Sequence, residues 1–207
     1  MGVLGLGMLL LGWRMGVDLG VLKQWWKAVE GFLILRPWVL FAALVVLPGF
    51  PVPSSALFFL AGTVWRDRPV MACALSLLAM LINMSWTYWL AARPGRGLVE
   101  KLLAASTVRV PQLPKGDDIR LILIVRLTPG IPLFFQNYLL GFFRVPFRWY
   151  LPLSVGCIGL VACGVVLSGA GVADGNLTPL VGGLGLIVVG LVVVQVVRKR
   201  CRVISDR

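Results

Sequence analysis

From Met1 to Leu22 the chain is apolar except for Arg14 and Asp18, which stand four apart and can pair on one helix face. No basic stretch precedes this run and no small-residue cleavage site follows it, so the pattern predicts an uncleaved membrane helix rather than a secretory signal. Lys23 to Glu30 carries Trp25, Trp26 and Lys27, the amphipathic chemistry of a headgroup layer. Gly31 to Leu47 is apolar apart from Arg36, and Pro48-Gly49-Phe50-Pro51-Val52-Pro53 then interrupts it. Three prolines in six residues remove backbone donors and break a helix, and Ser54 and Ser55 are expected to cap a new one running to Trp65. Limbs of 17 and 12 residues fall short of the roughly 20 that a span requires. Residues 31–65 therefore predict a re-entrant hairpin whose broken backbone must be buried in protein or line a cavity. Arg66, Asp67 and Arg68 mark its exit.

Pro69 to Ala92 reads as a span of 24 residues, and residues 93–116 as the one substantial polar connection, with an amphipathic stretch from Leu98 to Leu103. Asp117 and Asp118 stand where acids favour a helix start. Ile119 to Leu127 is apolar except for Arg120 and Arg126, until Pro129-Gly130-Ile131-Pro132 breaks it. A second limb from Leu133 to Phe143 completes a second hairpin, residues 117–143. Arg144 and Arg148 mark the exit, Trp149 to Gly171 spans, Asp174 to Thr178 turns, and a last helix runs from Pro179 to Val197 before a basic tail, residues 198–207.

The two halves match in order. Each has a P-G-x-P break (Pro48 to Pro51, Pro129 to Pro132), a short apolar limb with a glycine (Gly62, Gly141), a basic exit with a proline (Pro69, Pro146), and a full span. If each unit is one hairpin plus one crossing, the second starts on the opposite side of the membrane, and the repeats are inverted. Paired interrupted segments in corresponding positions point to a transport site near the bilayer midplane. The plain alternative is a pair of proline kinks in ordinary spanning helices. The expected fold is thus an all-α polytopic membrane protein: an N-terminal part (1–30), a core of two hairpin-plus-helix units (31–171) and a C-terminal helix (179–197).

Composition supports the membrane reading. Of 207 residues 59% are hydrophobic and 14% charged, with a mean hydropathy of +0.93, against about 45–50% and 25% in soluble domains. The net charge of +12 comes from residues at the ends of apolar runs, which excludes a nucleic-acid face and matches the positive-inside rule. The basic 93–120 segment and the basic tail belong in the cytoplasm by that rule, although Lys23, Lys27, Arg36, Arg66 and Arg68 then lie on the other side. No histidine is present, which removes His-based acid–base chemistry and most zinc sites. Cys73, Cys157, Cys163 and Cys201 have no metal or disulfide-framework spacing and read as small hydrophobes. No metal site, cofactor or catalytic constellation is expected; self-association is left open.

After each break the new limb begins as a helix N-terminus with free N–H groups and a partial positive charge, so two such termini facing each other make an anion site. Arg126 is the charge beside one of them, with an interfacial residue snorkelling to water as the alternative. Asn137, further along the second limb, can bind a ligand or bridge helices. Ser54 and Ser55 are caps first and ligand donors second. Arg144 and Arg148 are either interfacial anchors or the mouth through which a phosphate headgroup enters. Gly62 and Gly141 suit close helix packing, and Trp86, Tyr88 and Trp89 suit an interface belt.

Arg126-Leu-Thr-Pro129-Gly130-Ile-Pro132, then Asn137-Tyr138-Leu-Leu-Gly141, then Val145-Pro146-Phe147-Arg148-Trp149-Tyr150, resembles the signature of the VTT domain of the DedA and SNARE-associated Golgi protein superfamily. Pro48 through Gly62, and Gly95-Arg96, are similar to the same pattern more loosely, so the resemblance spans about residues 31–171. The form is closer to the vacuolar-type branch than to DedA proper. The resemblance implies facing re-entrant hairpins and, in bacterial members, an inner-membrane translocase of undecaprenyl phosphate; eukaryotic relatives are implicated in phospholipid scrambling. Substrate contacts are expected around the two breaks, at Pro48, Gly49, Pro51, Ser54, Ser55, Arg126, Pro129, Gly130, Pro132, Asn137 and Tyr138. Two positions depart from it. Ser54 and Ser55 occupy the region where DedA-type members carry acids, and Pro132 stands where they carry a second arginine, so the pattern for proton coupling through an embedded acid is missing.

Three function classes follow. A translocase of a lipid phosphate accounts for the basic mouth, the half-helix termini and the lack of embedded acids. A secondary transporter of a small anion or ion shares the repeat but needs a coupling group, for which only Glu30 and Asp67 are near. A non-transporting membrane interaction protein predicts hairpins that merely pack.

Overall fold

Proline stands at or just before the start of five helices among the described residues. The computed structural model describes residues 19–93, 97, 118–128 and 131–203. Helix α1 is Leu19–Leu35, α2 Pro37–Val46, and a 3-10 turn, Leu47–Gly49, leads to α3, Ser54–Val64. Next come α4, Pro69–Ala92, α5, Asp118–Leu127, α6, Leu133–Phe142, α7, Phe147–Asp174, and α8, Leu177–Val203. The protein is an all-α polytopic membrane protein; α4, α7 and residues Leu177–Val196 of α8 are long and apolar enough to cross a bilayer.

Most of the expected elements are present, with differences at their ends. The first limb was expected to start at Gly31, yet α1 runs unbroken past it and the chain turns at Arg36, bending by 107°. Pro37 has no N–H to continue α1, and its ring forces Arg36 out of the helical region, to φ −136° and ψ 64°. The first limb is therefore the 10 residues of α2, and the second the 11 of α3. At 1.5 Å per residue each is about 15 Å long, half of a hydrocarbon core. Similarly, α7 starts two residues early because Pro146 fixes the turn before it, and it ends at Gly175, whose φ of 63° suits glycine. Helix α8 starts at Leu177, takes Pro179 into its first turn, and continues past Val197 into the basic tail. The Arg14–Asp18 pair and the Leu98 to Leu103 stretch lie outside the described residues.

Ion pairs and caps define two ends of the bundle. At one, Arg66 pairs with Glu30 of α1 at 3.9 Å and with Asp174 at the end of α7 at 3.3 Å. The chain thus leaves α3 close to where it approached α2. At the other, Arg144 Nε donates to the Ala92 carbonyl at 3.3 Å, and the Tyr88 hydroxyl lies in electrostatic reach of both Asp118, which starts α5, and Arg144, which follows α6. Helix α4 runs from the first end to the second, and α7 runs back.

The limbs pack crosswise between the units. Gly62 of α3 abuts the Val166 carbonyl and Ala170 amide of α7, and Gly169 of α7 abuts the Phe59 carbonyl. Gly141 of α6 abuts the Tyr88 carbonyl of α4. Each second limb therefore packs through its glycine against the spanning helix of the other unit, at distances that only a missing side chain permits. Gly164 and Gly183 join α7 to α8 in the same way.

Trp86 and Tyr88 correct the interface-belt expectation. Tyr88 is buried, and its hydroxyl donates to the Val145 carbonyl at 2.6 Å, while Trp86 Nε1 donates to the Val45 carbonyl at 2.9 Å. Both carbonyls sit where helix bonding stops, and a buried acceptor must find a donor. Trp89 is exposed, with Arg93 over its ring.

Candidate functional site

Arg126 ends α5 inside the protein, with only 7% of its surface exposed. The snorkelling alternative is thereby excluded. Its Nε donates to Ser154 Oγ of α7 at 2.9 Å and its Nη1 to Gln136 Oε1 of α6 at 3.2 Å. The Tyr150 ring lies 5.4 Å from the guanidinium carbon. Buried Nη2 has no hydrogen-bond partner among the described residues. Gln136 has a second task, since its Nε2 donates at 2.9 Å to the Ile131 carbonyl within the second break. One amide thus holds both the broken backbone and the arginine.

A polar chain leads from this arginine to the first break. The Tyr150 hydroxyl donates to the Met84 carbonyl at 3.1 Å and approaches Asn137 Oδ1 at 3.4 Å; Asn137 Nδ2 reaches Asn83 Oδ1 at 3.4 Å; Asn83 Nδ2 donates to the Val45 carbonyl at 2.8 Å. Tyr138 makes the direct link, its hydroxyl donating to the Gly49 carbonyl at 3.0 Å. The two breaks therefore meet through side chains of α4 and α6. Carbonyls freed by the breaks at Val45, Gly49 and Ile131 all receive side-chain donors, the condition for irregular backbone at membrane depth.

Pro48 and Gly49 are buried, and Gly49 lies against the Trp86 ring, where a side chain would not fit. Pro51 is exposed. Ser54 and Ser55 correct the capping expectation: Pro53 holds the N-cap position of α3 and no side chain caps it. Pro132 holds the same position before α6, also without a side-chain cap. Both limbs thus start with first-turn N–H groups that no capping side chain takes up. Pro129 and Gly130 lie outside the described residues. Arg144 and Arg148 are exposed, Arg144 at φ 53° and Arg148 over the Trp149 ring. Among the described residues no three metal-ligating side chains gather.

Gln136, Ser154, Asn83 and Tyr150 were not singled out from the sequence as site residues. The available signal was polarity within apolar runs, which in a membrane marks function or interhelical bonding.

Tyr138→Phe removes one hydrogen bond between the breaks and leaves the ring in place. It should lower the thermal unfolding midpoint in detergent by the equivalent of about 0.5–1.5 kcal/mol.

Interrupted helices joined by buried polar side chains, within an all-α bundle that holds helices long and apolar enough to cross a bilayer, define an integral membrane protein. The VTT domain model matches residues 52–171, and the chain belongs to that family. The match ends where the expected core does, at Gly171, and begins after the first break. No curated protein and no solved structure matches the chain.

Proposed function

We propose that this protein is a lipid translocase, flippase- or scramblase-like, carrying a phosphate-bearing lipid such as undecaprenyl phosphate or a phospholipid across the bilayer. The observation that carries the reading is the buried Arg126 with an unpartnered Nη2. An arginine at a membrane helix centre costs at least about 2.5–3.5 kcal/mol, a cost that an anion bound to it offsets. A guanidinium fork matches phosphate, and the uncapped starts of α3 and α6 offer further N–H donors. In this reading α2 with α3, and α5 with α6, are re-entrant hairpins opening to opposite sides, the C-terminus is cytoplasmic, and the membrane is a bacterial inner membrane. The chain works as a carrier rather than an enzyme.

Reconstitution into liposomes tests it, with labelled polyprenyl phosphate and phospholipids followed in both leaflets. Protein-dependent exchange of either lipid supports the proposal. Exchange of neither, together with uptake of a small anion, assigns the protein to the secondary transporters, for which the same arginine would serve.

Arg144 belongs to the mouth of this path. A left-handed backbone costs a non-glycine residue about 1–3 kcal/mol, so Arg144→Gly relieves strain while removing a charge that steers anions. Lipid transport by this variant should fall at low salt and converge with the parent at high salt, because a water-facing charge is screened. Rates at two ionic strengths measure it.

A further inference from the structure

The surroundings of Arg126 carry information about the charge of what it binds. On the described residues its neighbours are the hydroxyl of Ser154, the amide of Gln136, the ring of Tyr150 and, on the same face of α7, the thiol of Cys157. None is a carboxylate. Asp118 starts the same helix eight residues earlier, about 12 Å away along the axis, and Arg120 is six residues earlier, about 9 Å away. Helix α8, which packs on α5, has no titratable residue from Leu177 to Val196, and α6 offers only Tyr138. The described site therefore holds one positive charge, one free donor and neutral hydrogen-bonding groups.

We infer that the missing counter-ion of Arg126 is the transported headgroup itself, and that this headgroup is singly charged where it meets the arginine. This deepens the lipid-phosphate reading and rests on it. A ligand with one negative charge makes a neutral complex, which hydrocarbon tolerates; a doubly charged one leaves a net charge in low dielectric and is disfavoured. The substrate class is thus a phosphodiester lipid, or a phosphomonoester that keeps one proton.

Gln136 gives the test, because Gln136→Glu puts a carboxylate of the same shape where an amide now holds Arg126, supplying the counter-ion from within. Gln136→Leu adds no charge, and both variants give up the Nε2 bond to the Ile131 carbonyl, so that loss cancels between them. If Gln136 were only structural, both variants would lose heat stability and transport in parallel. The inference expects them to separate: Gln136→Glu is more heat-resistant than Gln136→Leu, yet its lipid transport falls below that of Gln136→Leu and under about a tenth of the parent's, the loss expected when a charged contact worth about 1.5 kcal/mol or more is pre-empted.

Charge preference is read in the parent protein in liposomes at pH 5.5 and 7.5. Phosphatidylglycerol, singly charged at both, should cross equally fast. Phosphatidic acid should cross faster at the lower pH by about tenfold or more, since a phosphate monoester loses its second proton near pH 6. Tyr150, Tyr138 and Cys157 do not follow that change, as tyrosine and cysteine ordinarily titrate near 10 and 8.5. Faster crossing of phosphatidic acid at pH 7.5, or equal transport by Gln136→Glu and the parent, overturns the inference while leaving the translocase reading intact. A third arm needs no lipid. Inorganic phosphate should raise the unfolding midpoint of the detergent-solubilised parent more at pH 5.5 than at 7.5, and not that of Gln136→Glu. That result without any lipid transport upholds the single-charge site and overturns the lipid reading; protection of Gln136→Glu equal to the parent's overturns the single-charge site.

Discussion

Replacing Arg126 with alanine should lower lipid transport at least about a hundredfold, the factor expected when a buried charged contact of about 3 kcal/mol is removed. Arg126→Lys should lose most of the activity as well. Lysine keeps the charge, but its donors all radiate from one nitrogen, so it cannot span Ser154 and Gln136 as the guanidinium does through Nε and Nη1. Both proteins should insert normally. The midpoint of Arg126→Ala should equal or exceed the parent's, because alanine removes a buried charge that has no carboxylate partner among the described residues, while Arg126→Lys, which keeps the charge, should stay near the parent's. Activity and stability therefore move independently. Transport at matched membrane abundance, with thermal unfolding in detergent, checks both halves; parental transport by Arg126→Ala would sink the site assignment.

The largest structural effect is expected at Gly62. A methyl group there meets the Val166 carbonyl oxygen and the Ala170 amide, backbone atoms that no rotamer change can move away. Overpacking costs about 1–3 kcal/mol where side chains can yield and more where they cannot, which outweighs the about 1 kcal/mol that alanine gains over glycine within a helix. Gly62→Ala should therefore lower the unfolding midpoint markedly, and Gly62→Leu should prevent α3 from docking on α7. Gly182 of α8 is the control: nothing lies within 4 Å of its added Cβ, so Gly182→Ala should leave the midpoint unchanged or raise it.

How these sites are read from sequence depends on how local their causes are. The bounds of α4, from Pro69 to Ala92, and the starts of α3 and α6 were legible because proline acts on its immediate neighbours. The same local rule explains the break at Arg36, where Pro37 sits inside an apolar run that periodicity alone reads as continuous. Arg126 was legible as a charge beside a break. Its holders were not: Ser154 lies 28 residues away and bonds it only once α5 and α7 have packed. Asn83 and Asn137, 54 residues apart, meet for the same reason. Trp86 and Tyr88 fit an interface belt by position, yet turn inward because Val45 and Val145 end hydrogen-bonded runs and their carbonyls need donors. Ser54 fits a helix cap by residue type, but Pro53 takes that position.

Everything proposed for Arg126 depends on two segments that each enter and leave the membrane by one side, opposite to each other. Impermeant thiol labelling of intact vesicles measures this directly, using Arg36→Cys, Arg68→Cys and Arg148→Cys in a background without the four native cysteines. All three positions are exposed. Positions 36 and 68 should label from one side and position 148 from the other. Labelling of 36 and 68 from opposite sides would make the first segment an ordinary span and contradict the facing-hairpin arrangement.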